Sequence, residues 1–319
     1  MIRIAQIGCG YWGPNFLRNF QQNPNCEVIA VADPSPTSQV KIRALYPEIQ
    51  LLDSPATLFE SSEVDAFVIA TPARFHHRIA KSALEAGKDV LVEKPLALTS
   101  ADGEELLEIS SQNQRILMVG HILEYHPAII KIRKILADGE LGKLQHIRST
   151  RLSLGRFRHE ENVLWSFAPH DIAMIQRLAG NSPDKISAIA QTHLQQGIPD
   201  TVHADLQFPG NLHAHLHVSW QEPVKEQKLT VVGAKAMATY DDVKKQLLLH
   251  PHQIDRSVTP PSLTKAQPEE IPFAPGEPLA RECQAFLDAI ESRNPPLTDG
   301  KSALQVLQTI ETIQRQIGN

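Results

Sequence analysis

Gly8-Cys9-Gly10-Tyr11-Trp12-Gly13 follows the apolar run Ile2 to Ile7 and precedes Asn15-Phe16-Leu17-Arg18-Asn19-Phe20. The first flank reads as a strand through Ile2, Ile4 and Ile7, and the second has its apolar positions spaced for a helix. A G-x-G-x-x-G pattern has meaning only in that strand–turn–helix setting. There Gly8 allows the tight turn, Gly10 lets the backbone approach a pyrophosphate, and Gly13 lets the helix close on the strand. The helix N-terminus offers free N–H groups to the anion. Glu27 to Ala32 reads as a second strand and ends in Asp33, twenty residues past Gly13, where a carboxylate accepts from adenosine ribose hydroxyls. The stretch predicts a dinucleotide site. Asp33 predicts NAD, since the 2′-phosphate of NADP would meet a negative charge.

Working outward, short strands keep alternating with helices as far as Gly120. Pro34-Ser35-Pro36-Thr37 opens a helix to Leu45, and Val64 to Ala70 is a buried strand ending in Thr71-Pro72. A helix through Ile79, Ala80, Ala83 and Leu84 stops at Gly87, the residue type expected after a helix. Asp89 to Val92 is a strand running into Glu93-Lys94-Pro95. Thr99 caps a helix to about Gln112, and Arg115 to Val119 is one more strand. This rhythm predicts a doubly wound parallel sheet, whose ligands lie beyond the carboxyl ends of the strands. Gly8, Asp33, Thr71, Glu93 and Lys94 all fall at such ends.

After Gly120 strand patterns dominate: 144–154, 185–194, 203–208, 212–220, 228–232 and 236–240. Helices are expected over 127–137 and 169–178, a long connection over 251–278, and two closing helices over 279–290 and 301–317. The fold expected is therefore α/β: a Rossmann domain over 1–122, then an α+β domain over 123–319 with an open, mostly antiparallel sheet. The closing helices are free to pack back on the first domain.

Composition narrows the function classes. A formal charge of −5 offers no basic field for nucleic acid or an anionic membrane. No run approaches the ~18 apolar residues of a membrane span. Cys9, Cys26 and Cys283 form no CxxC pair and no metal spacing, which predicts a reduced, cytoplasmic protein without disulfides.

Two residues stand out for proton handling. Lys94 follows a buried strand at the mouth of the dinucleotide crevice, where an ammonium can bind a substrate hydroxyl and stabilise the alkoxide as hydride leaves; Glu93 can orient it. His170 follows Pro169 at the expected start of a helix, a position that disfavours imidazolium and keeps the ring able to accept a proton. The strand Leu212 to Trp220 sets His213, His215 and His217 on one face. Alternate strand residues lie ~6.5–7 Å apart, too far for one ion, so a polar face toward solvent or a second subunit is expected instead of a metal site.

Over essentially its whole length the chain resembles the Gfo/Idh/MocA oxidoreductases. The matching pieces are Gly8 to Gly13, Ala70-Thr71-Pro72 with His76, Glu93-Lys94-Pro95, and the helix bearing His170. The resemblance implies catalytic Lys94 and His170, and NAD held by Gly8, Gly10, Tyr11, Trp12, Gly13, Asp33, Thr71, Pro72, His76, Glu93 and Lys94. Gly10 to Asn15, Gly120-His121, Tyr125-His126-Pro127-Ala128, Asn162 to Trp165 and Pro169-His170-Asp171 look like one branch of the family. That branch holds sugar-nucleotide 3-dehydrogenases acting on UDP-N-acetylglucosamine or its uronic acid. The implied substrate is a UDP-sugar, met by Tyr125, Arg158, Asn162, Trp165 and Asp171. The implied partner is a PLP-dependent aminotransferase that takes the 3-keto product toward lipid A or a polysaccharide. A homodimer or homotetramer is implied as well. Many relatives carry an aspartate four residues before the histidine where this chain has Ser166, which leaves Lys94 and His170 as the proton-handling pair. A regulator that kept the fold but lost catalysis is the alternative of another class; it would be expected to have lost Lys94 or His170.

Overall fold

The computed structural model describes residues 1–318 except 156, 159, 160, 252, 256 and 265. In chain order its principal elements are β1 (Ile2–Ile7), α1 (Gly13–Gln21), β2 (Cys26–Ala32), α2 (Pro36–Leu45), β3 (Gln50–Leu52), α3 (Ala56–Phe59), β4 (Ala66–Ile69), α4 (His76–Glu85), β5 (Asp89–Glu93), α5 (Ser100–Gln112) and β6 (Leu117–Gly120). There follow α6 (Pro127–Ala137), β7 (Leu144–Leu152), α7 (Val163–Ala179), β8 (Lys185–Gln191), β9 (Thr201–Phe208), β10 (Leu212–Ser219), β11 (Glu226–Gly233), β12 (Met237–Asp241) and β13 (Gln246–His250). The chain closes with β14 (Gln253–Asp255), β15 (Ser262–Thr264), β16 (Glu269–Glu270), α8 (Pro278–Ser292) and α9 (Gly300–Ile317). Two compact units result: Met1–Tyr125 with Gly276–Gln308, and His126–Pro275 with Thr309–Asn319.

In the first unit the strands β1 to β6 form one parallel sheet in the order β3-β2-β1-β4-β5-β6. The chain reverses direction across the sheet between β1 and β4, which places a crevice beyond the carboxyl ends of those two strands. Apolar side chains cover both faces. Phe16, Leu17 and Phe20 of α1 and Phe286 and Leu287 of α8 fill one side. Leu84, Leu106, Ala303 and Leu304 fill the other. Polar side chains set the helix starts: Ser35 accepts from the Ser38 N–H at 3.4 Å and Thr99 from the Asp102 N–H at 3.1 Å, each taking one of the N–H groups a first turn leaves open. Beneath β5, Asp89 is 1% exposed. It accepts from the Ile116 N–H at 2.8 Å and from the Arg293 guanidinium at 2.8 and 2.9 Å.

The second unit is built on a mixed sheet in the order β16-β13-β12-β11-β7-β10-β9-β8, antiparallel except for the β10–β7 pair. Three expectations need correction. The helix expected over 169–178 begins at Val163, because Asn162 caps it with its side-chain oxygen 3.3 Å from the Trp165 N–H; Pro169 therefore lies inside α7. The stretch 251–278 is not a bare connection, since β14 pairs with β15 and β16 pairs with β13. The short strand β3 on the rim of the parallel sheet was not expected at all; three residues show no readable period.

Replacing Arg293 by methionine leaves the buried Asp89 carboxylate with one backbone donor in place of three contacts. Hydrogen bonds to charged groups contribute ~1.5–3 kcal/mol. Arg293→Met should lower the unfolding free energy obtained from a urea titration by an amount in or just below that range, and with it the midpoint, because water reaches a half-exposed arginine. An unchanged midpoint would remove this contact from the account of the fold.

Candidate active site

The glycine turn is held by side chains as well as by glycines. Gly8 adopts φ +87°, and a Cβ built on it would lie 2.8 Å from the Ala70 carbonyl and 2.9 Å from Thr71 Cγ2. A Cβ on Gly13 would lie 2.6 Å from the Gly8 carbonyl oxygen, whereas one on Gly10 would meet nothing within 4 Å. So Gly8 and Gly13 are fixed by packing, while Gly10 leaves open space of the kind a ligand phosphate needs. Gln6, 1% exposed in the middle of an apolar strand, donates from its amide to the Gly8 carbonyl at 2.9 Å and the Gly13 carbonyl at 3.0 Å. Sequence reasoning passed over Gln6, although a lone amide in a buried strand was the available signal.

Asp33, 6% exposed at the end of β2, accepts from the Cys9 N–H at 2.6 Å and the Ser35 N–H at 2.8 Å. A carboxylate has about four acceptor sites, so each oxygen keeps one for a ribose hydroxyl. Burial, aided by the Asp33 charge, pushes the Cys9 thiol up to about 12. Tyr11 is exposed and Trp12, half-buried, starts α1. Pro14 in the first turn of α1 offers no N–H, and the Asn15 N–H donates to the Trp12 carbonyl at 2.9 Å.

At the carboxyl ends of β4 and β5 lie the remaining dinucleotide candidates. Thr71 is half-buried with a hydroxyl oxygen that has no hydrogen-bond partner among the described residues, and Pro72 beside it is exposed. Glu93 and Lys94 are half-buried, and the Lys94-Pro95 bond is cis. A Cβ on Gly120 would lie 2.6 Å from Glu93 Oε2, so the Glu93 carboxylate rests on the bare backbone of β6. His76 differs from the expectation of a direct cofactor ligand. It is 1% exposed, with Nδ1 2.7 Å from the Pro95 carbonyl oxygen and Nε2 2.8 Å from that of Thr71. Both ring nitrogens are occupied by backbone.

Glu282 on α8 was not singled out from the sequence. It is fully buried, neither carboxyl oxygen has a hydrogen-bond partner among the described residues, and burial together with the Glu93 charge pushes its carboxyl well above the usual range. Both influences favour the neutral acid. Tyr125, expected on a substrate, is also buried in this unit, its hydroxyl 3.2 Å from Thr298 Oγ1.

In the second unit, α7 packs on β7, β9 and β10 and carries His170, half-buried. His170 lies two turns inside the helix, not at its start, so the helix-dipole argument for a neutral ring does not apply there. Pro169 lacks the N–H that would bond the Trp165 carbonyl, which loosens the backbone just before the histidine. Asp171 is 1% exposed. Its carboxylate accepts from Arg151 Nε at 2.6 Å, Arg151 Nη2 at 3.3 Å and Ser149 Oγ at 2.6 Å. It is a buried ion-pair partner and has little left for a ligand. Asn162 donates to Gln314 at 2.8 Å and Trp165 Nε1 to the same oxygen at 3.0 Å. Arg158 is exposed and paired with Glu161.

The alternation expected in β10 is realised: Leu212, Ala214, Leu216 and Val218 are buried, and His213, His215 and His217 face away from that core. Asp205 on β9 sits 3.4 Å from His213 and 3.2 Å from His215, while the His203 and His217 rings stack at 3.9 Å. Among the described residues no group of three or more His, Cys, Asp or Glu side chains could hold a metal ion. Nor, among them, is any helix long and apolar enough to cross a membrane.

Comparison with known proteins agrees with this architecture. The family model described as an oxidoreductase family with an NAD-binding Rossmann fold matches residues 2–121, and that of the GFO/IDH/MocA C-terminal domain matches residues 129–239. The uncharacterized oxidoreductase YdgJ of Escherichia coli (strain K12) is 29% identical over 220 residues, which is 65% of this chain and 62% of YdgJ. The UDP-N-acetylglucosamine 3-dehydrogenase of Acidithiobacillus ferrooxidans is 25% identical over 308 residues, 96% of this chain and 94% of that protein. A solved structure of the Acidithiobacillus ferrooxidans 3-dehydrogenase GnnA superposes with a TM-score of 0.88 at 23% identity, covering 99% and 97% of the two chains. At that identity the superposition speaks for the fold. The first unit is an NAD-binding Rossmann domain.

Two substitutions test the geometry. Gly13→Ala drives a methyl into the Gly8 carbonyl and should weaken NAD binding at least tenfold by calorimetry; unaltered affinity would contradict a fixed turn. Asp171→Asn removes the charge facing buried Arg151. Breaking a buried pair costs about 3–5 kcal/mol, so the thermal midpoint should fall by several degrees, and a stable, fully folded variant would free Asp171 for a ligand role.

Proposed function

The chain belongs to the Gfo/Idh/MocA oxidoreductases, and within that family we propose that it oxidises the C3 hydroxyl of UDP-N-acetylglucosamine with NAD. An NAD-dependent oxidoreductase is what the family and the Rossmann unit support directly. The observation that carries the finer reading is the end-to-end likeness, 96% of this chain against 94% of the other, to a UDP-N-acetylglucosamine 3-dehydrogenase. Both Lys94 and His170 are present beside it.

The residues of this chain divide the work as follows. Gly8, Gly10 and Gly13 bring backbone to the pyrophosphate, and Asp33 takes the adenosine ribose. Bound NAD supplies the hydride acceptor. Lys94 Nζ hydrogen-bonds the C3 oxygen and stabilises it as the C3–H bond gives up its electron pair. Lys94 or His170 receives the hydroxyl proton, and the C3–O bond becomes a carbonyl. Asp171, held by Arg151 and Ser149, orients the helix that bears His170 and takes no proton. Among the substrate candidates Tyr125, Asn162, Trp165 and Arg158, the exposed guanidinium of Arg158 suits the diphosphate. The 3-keto product suits a PLP-dependent aminotransferase in the cytoplasm, and a homodimer or homotetramer is the proposed assembly.

The direct test is NADH formation from NAD with UDP-N-acetylglucosamine, UDP-N-acetylglucosaminuronate and inositol in separate mixtures, each with a carbonyl trap. Signal with UDP-N-acetylglucosamine alone is expected. Signal with the uronate alone would move the substrate to the acid, and silence with NAD still bound would favour a regulator. A positioned proton-transfer group is typically worth ~10²–10⁴ in rate. Lys94→Ala should lose turnover in that range while NAD affinity changes little; undiminished turnover would end the proposed role of Lys94.

A further inference from the structure

His76 does more than fill space at the start of α4. Its ring spans two backbone carbonyls, of Thr71 after β4 and of Pro95 after Lys94, at 2.8 and 2.7 Å. Thr71 in turn abuts the glycine turn, since any Cβ on Gly8 would strike Thr71 Cγ2 and the Ala70 carbonyl. A continuous path therefore runs from the turn at Gly8 through Thr71 and the imidazole to the residue that follows Lys94. We propose that His76 is a positioning residue for Lys94, its imidazole pinning the Lys94-Pro95 turn to the dinucleotide crevice. The inference rests on the reading of Lys94 as the proton-handling lysine.

The chemistry of the two contacts makes the hold specific to histidine. Carbonyl oxygens only accept, so each contact needs an N–H from the ring, and a neutral imidazole has one. Both contacts are hydrogen bonds at once only in the imidazolium. Burial, the largest influence, holds the imidazole below its usual range, with the two carbonyls acting against it and the positive charge of Lys94 acting with it, so the neutral ring with one donor is favoured. Lys94 is the charged side chain acting on the imidazole; its sequence neighbour His77 is engaged separately, with Glu105 at 2.6 Å. Proton loss from His76 leaves one hydrogen bond, so the second is added only as pH falls below the usual histidine range. A leucine of similar bulk would keep the packing and abolish both contacts. A glutamine carries both its N–H donors on one nitrogen and can serve one of the two carbonyls.

The test needs no substrate, so its outcome is separate from that of the proposed reaction. Lys94 is labelled with trinitrobenzenesulfonate, and the rate at that residue is read by peptide mass spectrometry across pH in the wild type, His76→Leu, His76→Gln and the control His77→Gln. His76→Leu should change the Lys94 labelling rate at least threefold, with His76→Gln intermediate and the control unchanged. NADH binding and thermal midpoint verify that each variant is folded. Unchanged Lys94 labelling in a folded His76→Leu would overturn the proposal. Should the leucine variant fail to fold, histidine-labelled wild-type protein decides by nuclear magnetic resonance. A slowly exchanging ring N–H absent from His76→Gln is expected, and a ring exchanging as fast as free histidine would overturn the proposal. Retained turnover in Lys94→Ala, by contrast, would remove the reaction and leave the clamp standing.

Discussion

Backbone must come within hydrogen-bonding distance of a pyrophosphate without collapsing into the gap it leaves, and the first unit is arranged around that constraint. A turn of small residues is by itself loose, because glycine loses the most conformational freedom on ordering. Here the loss is offset by fixed partners. Gln6 ties the first and last glycines of the turn together, Asp33 takes the Cys9 N–H, and Ala70 and Thr71 close against Gly8. The partners come from β1 and from the residues that follow β2 and β4, so those three strands must be in place before the turn has its shape. Folding and cofactor site are one problem in this unit.

The same economy of contacts explains what could be read from the sequence. The glycines, Asp33 and Lys94 were legible because each sits at a strand end, where period and punctuation change together. Gln6, Glu282 and the double contact of His76 were not. Their partners are backbone atoms or residues remote in the chain, as with Glu282 and Glu93, and pairings of that kind leave no local period. The helix bearing His170 was misplaced at its start for a related reason. Pro169 looked like a first-turn proline, yet Asn162 supplied the cap a full turn and more earlier, and tertiary packing of an apolar face carried the helix through the proline.

The second unit shows how a polar row can be structural on one side and open on the other. The buried alternate residues of β10 lie on the face toward α7, and the histidines occupy the opposite face with Asp205 among them. Asp171 illustrates the converse. A carboxylate next to a candidate catalytic histidine invites a chemical role, but three hydrogen bonds from Arg151 and Ser149 commit it to holding α7 on the sheet. Of these two neighbours in sequence, Asp171 serves the architecture, and the proposed chemistry is left to His170.

Asp33 has a consequence for how such a protein could diversify. Cofactor exchange from NAD to NADP is usually pictured as a swap of the ribose-facing acid for a small or basic residue. In this chain that acid is also the acceptor for the Cys9 and Ser35 N–H groups. A swap would strip the buried Cys9 N–H and the part-buried Ser35 N–H of their partner in the same step that admits a 2′-phosphate. A turn rebuilt for NADP would need a replacement acceptor first, which ties the proposed ribose contact of Asp33 to the architecture of the turn.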